Sequence, residues 1–406
     1  MESLRTDRYH QLGSCERTIK PGNDIEEETE VTVTTAKQAP FRFDQVGSFL
    51  RPAELKIARE KFDSGEIDKA ALTQVENEEI KKIVEKQIQL GLKAVTDGEF
   101  RRSWWHLDFL AALNGVESYA QNASYKFKGA KTRDTNVRFV DKVSYNPEHP
   151  FFEAFKFMQS IVPEGILVKQ TIPSPTLYFR DHRSDEAVHF YASREEFLAD
   201  LGLAYHQTIQ RFYDLGCRYL QLDDTTWAFL IDQIINAKNA EEKAKYEQIA
   251  EDSVTVINKA LAGLPEDLTV TTHICRGNFQ STFLFSGGYG PVAKYLAQLN
   301  LDGYFLEYDN ERSGDFAPLG EIFKEGSNKK VVLGLVTSKF PELESVDGLQ
   351  KRIEEATAYV PLKNLCLSTQ CGFASTEEGN KLTEAQQWAK IDLVVTTAKK
   401  IWNNVN

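Results

Sequence analysis

The sequence predicts an α/β protein, a (β/α)8 barrel of the TIM type with an excursion after the second strand and a flexible N-terminal extension. Three observations carry this expectation. From Phe41 onward, short β-branched or apolar runs alternate with long stretches of helical apolar spacing. Eight such strand-then-helix units can be counted, the order of a parallel sheet covered by helices. Ionisable and sulfur-bearing residues follow the ends of those runs, where a barrel gathers its functional groups. A doubly wound open sheet is the alternative for the same order of elements.

The elements follow in chain order. Residues 1–38 are polar and weakly patterned, with an acidic run from Asp24 to Glu30, and read as a flexible extension. Cys15 within it reads as an incidental thiol. Residues 39–406 then form the barrel. The expected strands are Phe43 to Ser48, Leu92 to Asp97, Gly165 to Thr171 and Arg218 to Asp223. They continue with Leu268 to His273, Gly303 to Tyr308, Val331 to Thr337 and Asn364 to Thr369. Helical spacing marks Ala70 to Leu90, Ser193 to Leu215, Ala244 to Leu261, Asp347 to Tyr359 and Thr376 to Trp402. Ser193 with Glu196 has the capping-box pattern of a helix start. Residues 119–160 break the repeat and read as an excursion with a hairpin, because NVRFVDKVSY alternates.

Bulk properties exclude several function classes. A net charge of −12 argues against nucleic-acid or anionic-membrane partners, which call for clustered Lys and Arg. No apolar run approaches the roughly 18 residues needed to span a bilayer, and the N-terminus lacks the layout of a secretory signal. Five cysteines in so long a chain do not form a disulfide framework. A cytoplasmic location is expected, where thiolates are free to bind metal.

The rim of the predicted barrel carries the chemistry. His273 and Cys275 lie two apart on an extended segment, so their side chains share a face. Glu307 closes the next strand and Cys371 the last. Alone, such a Cys is ordinarily a buried filler and such a Glu ordinarily solvated. Together they supply two sulfurs, one imidazole and one carboxylate, a set that Zn2+ accepts in tetrahedral geometry. Two thiolates and a carboxylate outweigh the charge of zinc. That makes a poor Lewis acid for hydrolysis but a good holder of a nucleophilic thiolate. Alkyl transfer to sulfur is therefore expected. Cys217, just before a predicted strand, and Cys366, within one, read as core. Glu99 and Asp223, with Asp224 as a weaker member, are placed to grip a substrate ammonium group; a helix cap or rim charge is their ordinary alternative. Ser48, beside Val46 and Gly47, is suited to a substrate carboxylate.

These stretches together resemble the C-terminal catalytic barrel of cobalamin-independent methionine synthases, and more narrowly their short single-barrel bacterial relatives. The matching segments are VGSFLRP (46–52), TDGEFRR (96–102), LQLDD (220–224), THICRGNF (272–279), YFLEYD (304–309) and STQCGFAS (368–375). The resemblance implies zinc ligands at His273, Cys275, Glu307 and Cys371. It implies homocysteine contacts at Val46, Gly47, Ser48, Glu99 and Asp223, and a methyltetrahydrofolate as methyl donor. The expected partners are thus small molecules, homocysteine and a methyl donor, with homo-oligomerisation left open.

Three departures stand out. The family's full-length enzymes have an additional N-terminal barrel that helps bind folate. Their catalytic histidine, a proton donor just past the seventh strand, has no match in LVTSKFPELES, where Ser338 and Lys339 stand. Lys339 would need a strongly lowered pKa to replace it; His106 is the other acid within reach of the sequence, although it reads more simply as a structural histidine. The TLYFRDH stretch (176–182), where the family approaches the pterin, lacks the family's tryptophan. A methylcorrinoid donor would need no proton at its leaving group. Zinc-dependent alkyl transfer to a coenzyme M-type thiol, and a non-catalytic thiol-binding zinc protein, are the rival readings.

Overall fold

In a computed structural model, residues 37–120, 126–127, 130–131 and 134–402 are described. The extension read over 1–38 lies outside them except for its last two residues, as does Cys15. Ala36–Asn406 forms one compact unit.

Seven parallel strands pair in order: Ala94–Val95, Leu167–Pro173, Tyr219–Asp224, Thr269–Ile274, Gly303–Glu307, Lys330–Val336 and Leu365–Thr369. Nearly every residue in them is buried, as expected for strands with side chains on one face in the barrel and helices over the other. The expected first strand, Phe43 to Ser48, is a correction. It occupies the remaining place in the barrel wall but makes a single parallel bridge, Phe43 to Leu367. On one side the Asp44 N–H donates to the Leu367 carbonyl (3.0 Å); on the other the Phe49 N–H donates to the Gly98 carbonyl (3.1 Å). The physical reason is local. The Asp44 carboxylate accepts from the backbone N–H of both Phe41 and Gln45, diverting that backbone from a ladder.

Beneath the rim, the barrel interior holds a buried polar knot. Lys169 Nζ lies 3.3 Å from Asp44 Oδ1 and 4.0 Å from the centre of the Phe305 ring. The Tyr219 hydroxyl donates to Asp44 Oδ2 (2.8 Å). Asp44 therefore ties the irregular wall segment to two regular strands.

The helices begin where short polar side chains cap them. Asp68, Ser193 and Asn239 accept backbone N–H groups at the starts of Lys69–Gln89, Arg194–Asp214 and Ala240–Leu261. At Ser193 only half of the expected box forms, because Glu196 accepts from the Ala192 N–H instead. The complete capping box is Thr383 with Gln386, and it starts the last helix at Glu384 rather than near Thr376. Residues 376–383 remain as rim loop, a second correction. The excursion is a hairpin of Asn114–Ala120 against Thr135–Ser144 that begins earlier than its alternation suggests. Its inward residues Val116, Val137, Phe139 and Val143 are buried. No helix of the described residues is long and apolar enough to cross a membrane.

Candidate metal centre and its adjoining cavities

The ends of three parallel strands deliver the sulfur, nitrogen and carboxylate donors to one spot. His273 is the penultimate residue of Thr269–Ile274, Glu307 the last of Gly303–Glu307, and Cys371 lies just past Leu365–Thr369. Ligand atoms of His273, Glu307 and Cys371 all lie within 4.8 Å of one another. Cys275 joins them through Cys371, with its Sγ 3.7 Å away. Two sulfurs on one tetrahedral zinc, each at about 2.3 Å, should stand about 3.8 Å apart. All four residues are buried. By spacing and chemistry the donor set fits zinc.

The surroundings orient these groups. His273 Nδ1 lies 3.5 Å from Asp223 Oδ1, and Nε2 lies 4.0 Å from Glu307 Oε1. A carboxylate behind one ring nitrogen fixes which nitrogen faces a metal. Glu307 accepts from the Arg276 backbone N–H (3.1 Å), Asn278 Nδ2 (2.8 Å) and Arg312 (2.7 Å). Asn278 Nδ2 also donates to Cys275 Sγ at 3.4 Å.

The titration of the centre follows from those contacts. Burial lowers the His273 imidazole, but the Asp223 hydrogen bond and nearby negative charges reverse this and leave it raised to about 8. The hydrogen bond from the Cys371 thiol holds Cys275 down to about 7, while the same bond and burial push Cys371 up. Burial alone would raise Glu307; Lys339, Arg312, His273 and Arg276 outweigh it and hold the carboxyl below its ordinary value. Burial pushes the Lys339 ammonium down, opposed by Glu307 and Asp309.

A cavity of ≈ 310 Å³ opens over this centre, lined by Val46, Ser48, Glu99, Trp105, Asp223, His273, Cys275, Cys371, Gly372 and Ser375. It brings together most residues singled out in the sequence. Glu307 lies behind the other donors, and Gly47 borders Glu99 and Thr171 without lining the cavity. Glu99 has a left-handed backbone (φ 62°) directly after Gly98 (φ 67°), a sparsely populated conformation that aims its side chain from the strand end. Its Oε1 accepts from Thr171 Oγ1 at 3.0 Å and lies 3.2 Å from Arg102 NH1. Burial raises its pKa, Arg102 opposes, and Asp223 adds to the rise. Asp223 also accepts from Gln221 Nε2 (2.7 Å).

Other expected residues are placed elsewhere. Asp224 accepts from Thr176 Oγ1 (2.7 Å) and the Thr226 N–H (2.7 Å), a structural use at a helix start. Cys217 and Cys366 are buried in the core, and burial pushes both thiols up to about 12. Lys339 lies 3.5 Å from Asp309 and lines a second cavity, of ≈ 270 Å³, that shares Gly372 and Ser375 with the one above the metal centre. His106 lines a third cavity, of ≈ 480 Å³, that shares Trp105, Cys275 and Ser375 with the one above the metal centre. TLYFRDH (176–182) forms a short 3-10 helix, Pro175–Phe179, and then a turn.

Sequence reasoning missed Asn278, Arg312, Trp105 and Gly372. The first two follow Cys275 by three and Glu307 by five residues, in loops with no periodicity to read. Gly372 had a usable signal. It follows a proposed ligand, and a Cβ there would stand 2.1 Å from Ser48 Oγ, so the two rim segments touch only because that residue is glycine.

Residues 42–399 match a family model described as "Cobalamin-independent synthase, Catalytic domain". The chain is 48% identical over 369 residues to the uncharacterized protein YxjG of Bacillus subtilis (strain 168), covering 90% of this chain and 96% of that one. A solved structure from Listeria monocytogenes, described as a candidate vitamin-B12-independent methionine synthase, is 43% identical with a TM-score of 0.72. It covers 90% of this chain and 99% of that one. A B12-independent methionine synthase from Shewanella sp. W3-18-1, solved with selenomethionine, shares the fold at 18% identity and a TM-score of 0.65, covering 89% and 97%.

Proposed function

This chain belongs to the cobalamin-independent synthase family through its catalytic domain, and from that premise we propose that it is a zinc-dependent methyltransferase converting homocysteine to methionine. The observation that carries the reading is one cavity. Its floor holds His273, Cys275 and Cys371, with Glu307 directly behind, and its walls hold Ser48, Glu99 and Asp223. A small amino-acid thiol needs both halves.

The three floor residues and Glu307 would hold the metal. When bound, zinc lowers the pKa of a coordinated thiol and keeps its sulfur nucleophilic. Every other part falls to the protein. Asp223 turns His273 so that Nε2 faces the donor set, and Arg312 and Asn278 fix Glu307. Glu99 and Asp223 bind the ammonium group of the amino acid, and Ser48 with its neighbouring amides binds the carboxylate. The buried walls keep water from the sulfur, which strengthens each of these contacts.

Methyltetrahydrofolate and a methylcorrinoid are the two donors this reading admits. Ser338 and Lys339 stand where the family places a histidine, which favours a donor needing no proton at its leaving group. A coenzyme M-type acceptor is disfavoured by Glu99 and Asp223, which would repel or ignore a sulfonate. The test is methionine formation from homocysteine by zinc-loaded protein, with the two donors run in parallel. Activity with either supports the reading; zinc-loaded protein that neither binds homocysteine nor makes methionine with either donor rejects it.

A further inference from the structure

Arg51 is 3% exposed, and among the described residues its guanidinium hydrogen-bonds backbone carbonyls alone. NH1 donates to the carbonyls of Phe49 (3.2 Å) and Ala374 (2.6 Å). NH2 donates to those of Glu99 (2.8 Å) and Arg102 (3.3 Å). Four N–H groups thus meet four carbonyls on three rim segments, those that carry Ser48, Glu99 and Cys371. Only a planar guanidinium fills so many positions from a single rigid fork. Burial lowers its pKa to about 10, with Glu99 opposing the fall, so the group stays charged near neutral pH.

The contact with Glu99 matters most, because that backbone is strained. Its left-handed conformation (φ 62°) directly follows another at Gly98, and a residue other than glycine keeps such a conformation only where its surroundings over-determine it. Here both adjoining peptides are held. Asp97 Oδ1 accepts from the Glu99 N–H (2.8 Å), and Arg51 donates to the Glu99 carbonyl. The carboxylate is held separately, by Thr171 Oγ1 at 3.0 Å and Arg102 NH1 at 3.2 Å. Arg102 is itself anchored through its carbonyl by Arg51. Arg51 does not line the cavity above the metal centre.

We propose that Arg51 is a positioning residue for the acceptor substrate. By fixing the Glu99 backbone against the segments of Ser48 and Cys371, it sets where the Glu99 carboxylate meets the substrate ammonium group. The inference rests on the methyl-transfer reading above and deepens it, assigning amino-group recognition in part to a side chain that touches no substrate atom.

The test compares two thiols on the zinc-loaded full chain, with binding followed by calorimetry. Homocysteine has the ammonium group; γ-mercaptobutyrate has the same chain, thiol and carboxylate without it. Arg51→Met keeps an unbranched side chain but has no N–H to donate. Misplacing one charged contact should weaken homocysteine binding about tenfold in Arg51→Met, while γ-mercaptobutyrate stays within about twofold of wild type. Zinc content should be unchanged, because none of the bonded carbonyls belongs to a proposed ligand. Arg51→Lys keeps the charge but replaces the fork by a single nitrogen, and should lose about threefold for homocysteine alone. It carries the test by itself if Arg51→Met does not fold. A residue that only supports the fold would weaken both thiols alike. Equal weakening of the two thiols, or no weakening of homocysteine, overturns the inference in whichever variant it is seen. Failure of wild type to bind homocysteine overturns the methyl-transfer reading and this inference with it, whereas wild-type binding beside equal losses of both thiols overturns this inference alone.

Discussion

At the scale of single residues, the account stands on four side chains and what holds them. Cys371→Ser should lose zinc and activity together, because a hydroxyl is a poor zinc ligand. Cys366→Ser should keep full zinc content, since that thiol sits in the core away from the centre. Zinc analysis of the two purified variants decides this, and equal zinc in wild type and Cys371→Ser would remove Cys371 from the ligand set. Asp223→Asn leaves all four ligands in place but alters the partner of His273 Nδ1, and should weaken zinc binding roughly 10–100-fold. A proton count adds a further check. With His273 raised to about 8, Cys275 lowered to about 7 and Cys371 pushed up, at pH 7.5 His273 is largely protonated, Cys275 largely ionised and Cys371 a thiol. Metal uptake then displaces the His273 and Cys371 protons, so about two should be released per zinc at that pH. Affinity should fall as pH drops, more steeply below about 7, where Cys275 must lose its proton as well. Release of no protons, read in weakly buffered solution with a pH dye, would contradict the ligand assignment.

The scale of elements explains why the proposed ligands were legible in the sequence and the residues around them were not. His273, Glu307 and Cys371 end or follow strands that alternate clearly with helices, so periodicity alone puts them on one rim. Asn278, Arg312 and Trp105 reach the same place from irregular loops, whose paths are set by tertiary contacts rather than by pattern. The misread first strand has a similar cause. Phe43 to Ser48 has strand-like residues, yet Asp44 captures local backbone N–H groups and leaves one bridge. The start of the last helix was misplaced because a polar rim loop at 376–383 precedes the Thr383 capping box. Close approach of rim segments gives this scale its prediction. In Gly372→Ala the new Cβ would meet Ser48 at Oγ, N and Cβ within 2.1–3.1 Å. Separating those segments should cost about 1–3 kcal/mol by the usual penalty of overpacking. Urea unfolding measures it, and an unchanged midpoint would show that the rim gives way without cost.

For the whole molecule, the barrel closes through the buried knot of Asp44, Lys169 and Tyr219. Asp44→Ala would leave the Lys169 ammonium buried without its carboxylate and should cost about 3–5 kcal/mol of stability. Denaturant unfolding with Glu117→Ala, which removes a half-exposed ion pair with Arg138, as control reads this directly; equal stability of the two variants would mean that the irregular wall segment does not hold the barrel shut. Closure matters for function because Val46 and Ser48, on that same segment, face the metal centre across the cavity. The fold at this scale was readable from the alternation of elements, whereas the cavities were not, since their walls come from residues far apart in the chain.

The central claim is that homocysteine places its sulfur on a zinc held by His273, Cys275, Glu307 and Cys371. Zinc-edge X-ray absorption on the zinc-loaded protein, before and after addition of homocysteine, tests it most directly. The account predicts two sulfur neighbours at rest, from Cys275 and Cys371, and a third when homocysteine is present. A sulfur count that stays constant on adding homocysteine, or a zinc without cysteine sulfur, would contradict it.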